Sequence, residues 1–200
     1  KIFEFLDLPS PFVIKLLHWI PPKKEEPLDQ YAQRMCEQID SENPILLGVS
    51  FGGVLVQEMA KIIETKKIII VSSIKTSNEL PFPMKMADIT KIHKLLPVQW
   101  IENIDALALF AFGKRLKDKI SLYQKYLSER DPDYLRWAID ALVHWKQNVT
   151  SQNSIHIHGK KDTVFPTKNL EAPVHFVDGG HAIILTQANW FNVHLPKLLA

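Results

Sequence analysis

Ser50 lies in Gly48-Val49-Ser50-Phe51-Gly52, a G-x-S-x-G stretch that follows the apolar run Ile45-Leu46-Leu47 and leads through Gly53 into a helix-like segment, Val54 to Ile63. A serine hydroxyl is a weak nucleophile until a base accepts its proton. The pattern around Ser50 supplies a way to expose it. A strand that turns sharply into a helix leaves no room for side chains two residues either side of the turn, which gives Gly48 and Gly52 a steric task. The turn residue is held in a strained conformation with its hydroxyl outward. The backbone N–H of Phe51 would open the helix, where amides are unpaired and favour negative charge, so Phe51 is a candidate oxyanion donor. With 7 glycines and 10 serines in 200 residues, chance would produce this motif roughly 0.01 times per chain. The competing reading is a glycine-rich turn that only tightens strand–helix packing.

A nucleophile of this kind needs a base and a group that orients the base. Six of the seven glycines fall at three places, Gly48/Gly52/Gly53, Gly159 and Gly179-Gly180, and each place follows a strand-like segment. Ser50 is at the first, Asp162 just after the second and His181 just after the third. In a parallel sheet the C-terminal ends of the strands share one edge, where ligands bind. Three residues distant in sequence can therefore meet there. His181 would take the serine proton and return it to the leaving group, and Asp162 would fix the imidazole tautomer. Asp178 is the rival acid, but three residues before His181 it is too close along the chain to reach the ring from the correct side. Alone, His181 would read as a surface-loop histidine and Asp162 as a turn residue.

The elements that must position these residues alternate in type. Lys1 to Leu6 reads as the end of an amphipathic helix stopped by Pro9 and Pro11. Phe12 to Trp19, rich in β-branched and large apolar residues and closed by Pro21-Pro22, reads as a strand. Leu28 to Ile39 has apolar residues three and four apart and is helical. Ile45 to Val49 is a strand, Val54 to Ile63 a helix, and the continuous apolar run Ile68 to Val71 a strand covered on both faces. From 74 to 151 no strand pattern is convincing. Helical candidates run over 86–96, 118–130 and 132–147, the last opened by Asp131-Pro132, a capping carboxylate with proline at the first helical position. A crossover needs far fewer residues, so 74–151 is expected to be a helical insertion over one end of the sheet. Strands return at Ile155 to His158 and Val174 to Val177, and Thr186 to Leu199 reads as a closing helix. Strands alternating with helices predict an α/β fold with a mainly parallel sheet flanked by helices.

Composition narrows the partners. The net charge of +2 argues for neither a nucleic-acid surface nor an acidic partner, and no apolar run is long enough to span a bilayer. Cys36 is the only cysteine, so an internal disulfide is excluded. Its place on an apolar helix face predicts a buried structural thiol, and a cytoplasmic setting is expected. His156 and His158 form an H-x-H, which ordinary strand alternation puts on one face; no further ligand follows at a metal-binding spacing, and no metal is expected. His18, His93, His144, His175 and His194 belong to no constellation. Trp100, Trp137 and Trp145 read as helix-packing residues rather than substrate contacts, whereas Phe51 has the better claim to line a pocket.

Three stretches together resemble the α/β-hydrolase superfamily, in particular its small serine esterase-like members with a helical cap. They are Gly48-Val49-Ser50-Phe51-Gly52, the run from His158 to Pro166 through Gly159 and Asp162, and Gly179-Gly180-His181. The order Ser, Asp, His is the one that family uses. The resemblance implies a hydrolase core over 1–73 and 152–200, with 74–151 as the cap. It implies a Ser50–Asp162–His181 triad cleaving a carboxylic ester or related acyl compound through an acyl-enzyme, with no cofactor and a small-molecule substrate. C–C hydrolysis or acyl transfer on the same triad, and a catalytically silent ligand-binding protein, are the alternatives. The family also takes a second oxyanion N–H from a loop after an earlier, central strand. Neither loop nor strand is found from Lys1 onward, so an N-terminal piece carrying them is expected to precede Lys1.

Overall fold

The computed structural model describes residues 2–90 and 131–199. Helix α1, Leu28–Cys36, precedes strand β1, Ile45–Val49, and helix α2, Phe51–Met59, leads to strand β2, Lys67–Val71. After β2 come helix α3, Phe82–Thr90, and helix α4, Pro132–His144. Strand β3, Ser154–Gly159, strand β4, His175–Val177, the short helix α5, Ile183–Thr186, and helix α6, Ala188–Leu199, complete the chain. The strands form one sheet in the order β1-β2-β3-β4, parallel throughout.

The continuous apolar run of β2 is explained by what lies on either side of it. Ile68 and Ile70 pack with Tyr31, Met35, Leu55 and Met59 of α1 and α2. Ile69 and Val71 point the other way, into a core with Ile157, Val177, Ile183 and Phe191. Period-2 alternation thus feeds two cores, one per face, as an all-parallel sheet requires. Cys36 lies in the first of these cores, where burial pushes its thiol pKa up. No described helix is long and apolar enough to cross a membrane.

Two expectations at the N-terminal end fail. Residues 2–5 form turns rather than a helix, and Phe12 to Trp19 is not a strand. At the end of the second segment the backbone is bonded by side chains of the α1 region instead of a neighbouring ladder. Gln38 receives the His18 N–H and donates to the His18 carbonyl, at 3.0 and 2.9 Å. The Tyr31 hydroxyl does the same for Ile20, at 3.3 and 2.8 Å. An apolar, β-branched composition cannot distinguish a strand from a segment satisfied this way.

Other boundaries shift by a few residues. Helix α1 ends at Cys36 rather than Ile39, α2 starts at Phe51 and ends at Met59, and the closing helix breaks into α5 and α6 around Gln187. Helix α4 begins as expected: the Asp131 side chain accepts from the Tyr134 amide at 2.8 Å, with Pro132 at the start. Its inner face, Tyr134, Leu135 and Ala138, joins the core of α1 and α2. Trp137 donates Nε1–H to the Glu26 carbonyl at 2.7 Å and Trp145 to Glu58 at 2.6 Å, so both serve packing. The helical expectation over 118–130, most of that over 86–96, His93 and Trp100 lie outside the described residues.

Candidate active site

Ser50 stands between β1 and α2 with φ 55° and ψ −124°, a conformation strained for any residue with a Cβ. The turn is anchored on both sides. Ser50 N–H donates to the Val71 carbonyl of β2 at 3.0 Å, and Gly53 N–H donates to the Ser50 carbonyl at 2.9 Å. A Cβ on Gly48 would lie 2.0 Å from the Gly52 carbonyl oxygen, so Gly48 is obligatory. Gly52 is not: a Cβ there would meet only the Trp19 ring, 3.9 Å away. The second steric requirement belongs to Gly53, whose added Cβ would sit 2.6 Å from the Cβ of Ser73. Phe51 is the first residue of α2, so its N–H has no acceptor within the helix. Its ring packs on Trp19, centroids 6.1 Å apart, and edge-on to Trp137 at 5.7 Å.

The loops after β3 and β4 bring the other two residues to Ser50. They touch at Gly159, where an added Cβ would lie 2.4 Å from the Gly180 carbonyl oxygen. Lys160 and Lys161 amides donate across to the Val177 and Gly179 carbonyls at 2.9 and 2.8 Å. His181 then spans the gap. Ser50 Oγ–H donates to His181 Nε2 at 2.9 Å, and His181 Nδ1–H donates to Asp162 Oδ2 at 2.8 Å. A carboxylate only accepts, so Asp162 fixes the proton on Nδ1 and leaves Nε2 free to accept from the serine.

Asp162 is buried, and its other oxygen, Oδ1, accepts from the amides of Val164 and Phe165 at 2.8 and 3.1 Å. Burial opposes its ionisation. The nearby His181, and hydrogen bonds from His158 and His181, outweigh that and hold the carboxyl well below its usual range. The rival acid points elsewhere: Asp178 pairs with Lys161 at 3.2 Å, both side chains largely in solvent.

The structure brings the three residues together and places behind them a group the sequence did not reveal. His158 is fully buried, and its Nε2 lies 3.2 Å from Asp162 Oδ2 and 2.9 Å from the Phe165 carbonyl. His156, on the same face of β3, places Nε2 3.2 Å from His158 Nδ1. Alternation gives the shared face, but not that the face is interior and abuts the acid four residues on.

No family model matches the chain, and no curated protein matches it in sequence. Solved structures do match. A hydrolase from Pseudomonas aeruginosa PA01 superposes with a TM-score of 0.67 at 14% identity, over 91% of this chain and 75% of that one. A lipase-esterase related protein from Clostridium acetobutylicum ATCC 824 gives 0.57 at 16% identity, over 86% and 75%. A meta-cleavage product hydrolase from Pseudomonas fluorescens IP01 gives 0.54 at 16% identity, over 96% and 74%. At such identities the likeness speaks for the architecture, which these proteins share. The chain has the α/β-hydrolase fold.

Proposed function

We propose that this protein is a serine hydrolase that cleaves a carboxylic ester or related acyl compound through an acyl-enzyme. The observation that carries the reading is the unbroken path from Ser50 Oγ through both ring nitrogens of His181 to Asp162, with links of 2.9 and 2.8 Å. Both distances suit proton transfer without rearrangement. In the first half-reaction, Ser50 Oγ adds to the substrate carbonyl carbon as its proton passes to His181 Nε2. Asp162 stabilises the imidazolium so formed. Negative charge on the carbonyl oxygen falls to the Phe51 N–H at the start of α2. Collapse expels the alcohol, which leaves with the proton from His181. Water then repeats the sequence on the acyl-enzyme, with His181 again the base, and releases the acid and free Ser50.

The test is turnover of a short panel of p-nitrophenyl esters by the folded protein. Release of p-nitrophenol by the wild type, lost on Ser50→Ala, supports the reading. Equal rates for the two proteins would count decisively against it.

A further inference from the structure

Four nitrogens converge on the Asp162 carboxylate, and only one belongs to His181. Two are the Val164 and Phe165 amides on Oδ1. The fourth is His158 Nε2, 3.2 Å from Oδ2, with both side chains wholly buried. That nitrogen also faces the Phe165 carbonyl at 2.9 Å. Carboxylate and carbonyl oxygens only accept, so Nε2 carries a proton, which the Phe165 carbonyl accepts with Oδ2 close beside it. In the singly protonated ring, Nδ1 is then the acceptor for His156 Nε2–H at 3.2 Å. His156 suits that neutral role, since burial, His158 and Lys75 push its pKa down to about 3.

We propose that His158 is a positioning residue for Asp162: its Nε2–H ties the carboxylate and the Val164–Phe165 turn to β3 and keeps Oδ2 aimed at His181 Nδ1. This rests on the reading of Ser50, His181 and Asp162 as a triad. The two amides fix Oδ1 alone, and a carboxylate held at one oxygen can still swing about that anchor. His158 restrains the second oxygen. Its donation also draws charge from Oδ2, so removing it makes Oδ2 a stronger acceptor and His181 a stronger base. The charged and titratable groups around His158 are Asp162, His181 beyond it, His156, and Lys75 acting on His156.

The full-length protein is examined by ¹H–¹⁵N NMR of the histidine rings and by the pH dependence of fluorophosphonate labelling at Ser50. In the wild type, His158 shows a protonated Nε2 and a bare Nδ1. His158→Phe keeps a ring in the site but removes the donor. The low-field His181 Nδ1–H resonance then moves, and the acid limb of the labelling profile shifts to higher pH by about one unit. His158→Gln, which can present an N–H near the same point, restores both. A residue that only packs would lower stability and leave resonance and limb in place, and that result in folded His158→Phe overturns the proposal. So does a wild-type His158 with no proton on Nε2, a measurement that decides the matter even if the variant does not fold. If Ser50 is never labelled while the His181 resonance still moves in His158→Phe, the hydrolase reading fails and the positioning role stands.

Discussion

Replacing Asp162 by Asn probes the orienting link with almost no change of volume. The structure dictates which way the amide must face. Oδ1 receives two backbone N–H groups, from Val164 and Phe165, so the Asn carbonyl oxygen is held there and the NH₂ replaces Oδ2. That NH₂ faces His181 Nδ1 and His158 Nε2, both donors in the wild type. His181 relieves the clash by moving its proton to Nε2, where it points at Ser50 Oγ and can no longer accept the hydroxyl proton. The ring stays in place in the wrong tautomer. In the Ser-His-Asp template such a change costs on the order of 10⁴ in kcat, about 5.5 kcal/mol of barrier. KM should change little, because Asp162 is buried away from any substrate. The remaining donor clash with His158 should cost about 1–3 kcal/mol of stability. Steady-state kinetics on a p-nitrophenyl ester, with a thermal melt to confirm folding, measures all three. A folded Asp162→Asn protein retaining kcat within about tenfold of wild type would refute the reasoning.

Further predictions follow from the turn at Ser50 and from the buried histidine pair. Gly48→Ala forces a Cβ against the Gly52 carbonyl and should destabilise by about 3 kcal/mol or more. Gly52→Ala meets only ordinary contact with Trp19 and should be neutral, or stabilising by up to about 1 kcal/mol through helix propensity; urea melts of both proteins test the contrast. His156 is held neutral when folded, with a pKa of about 3, whereas the unfolded chain protonates it near 6.5. The unfolded state therefore binds the extra proton, and stability falls as pH drops from about 6.5 towards 3, by about 3 kcal/mol at pH 4. His156→Gln, which keeps a donor for His158, should flatten the urea midpoint between pH 7 and 4, and an unchanged slope would contradict the assignment. Asp162 acts lower on the scale: its depressed pKa contributes stability above the ordinary carboxylate range that is lost only as pH falls below it.

What could be read from the chain beforehand depended on how local its physical cause was. Ser50, Asp162 and His181 each follow a strand and a glycine turn, and a parallel sheet aligns strand ends, so their meeting was legible from order alone. The Ile68 to Val71 run announced burial on both faces for the same reason. Phe12 to Trp19 misled because the backbone at its end, at His18 and at Ile20 just beyond, is bonded by the side chains of Gln38 and Tyr31, and composition does not encode a bond from a distant side chain. Gly52 fits the motif's letters while Gly53 carries the second steric constraint, set by Ser73 after β2. His158 looked like half of an alternating pair. Its contact with Asp162 depends on how the loop after β3 folds back, which periodicity cannot supply.

The claim that Ser50 is an activated nucleophile is met most directly by treating the folded protein with a fluorophosphonate probe and locating the adduct by peptide mass spectrometry. One covalent adduct is expected, on Ser50, abolished by Ser50→Ala and slowed by Asp162→Asn. An unlabelled Ser50 in folded protein, or an adduct on another residue that survives Ser50→Ala, would contradict it.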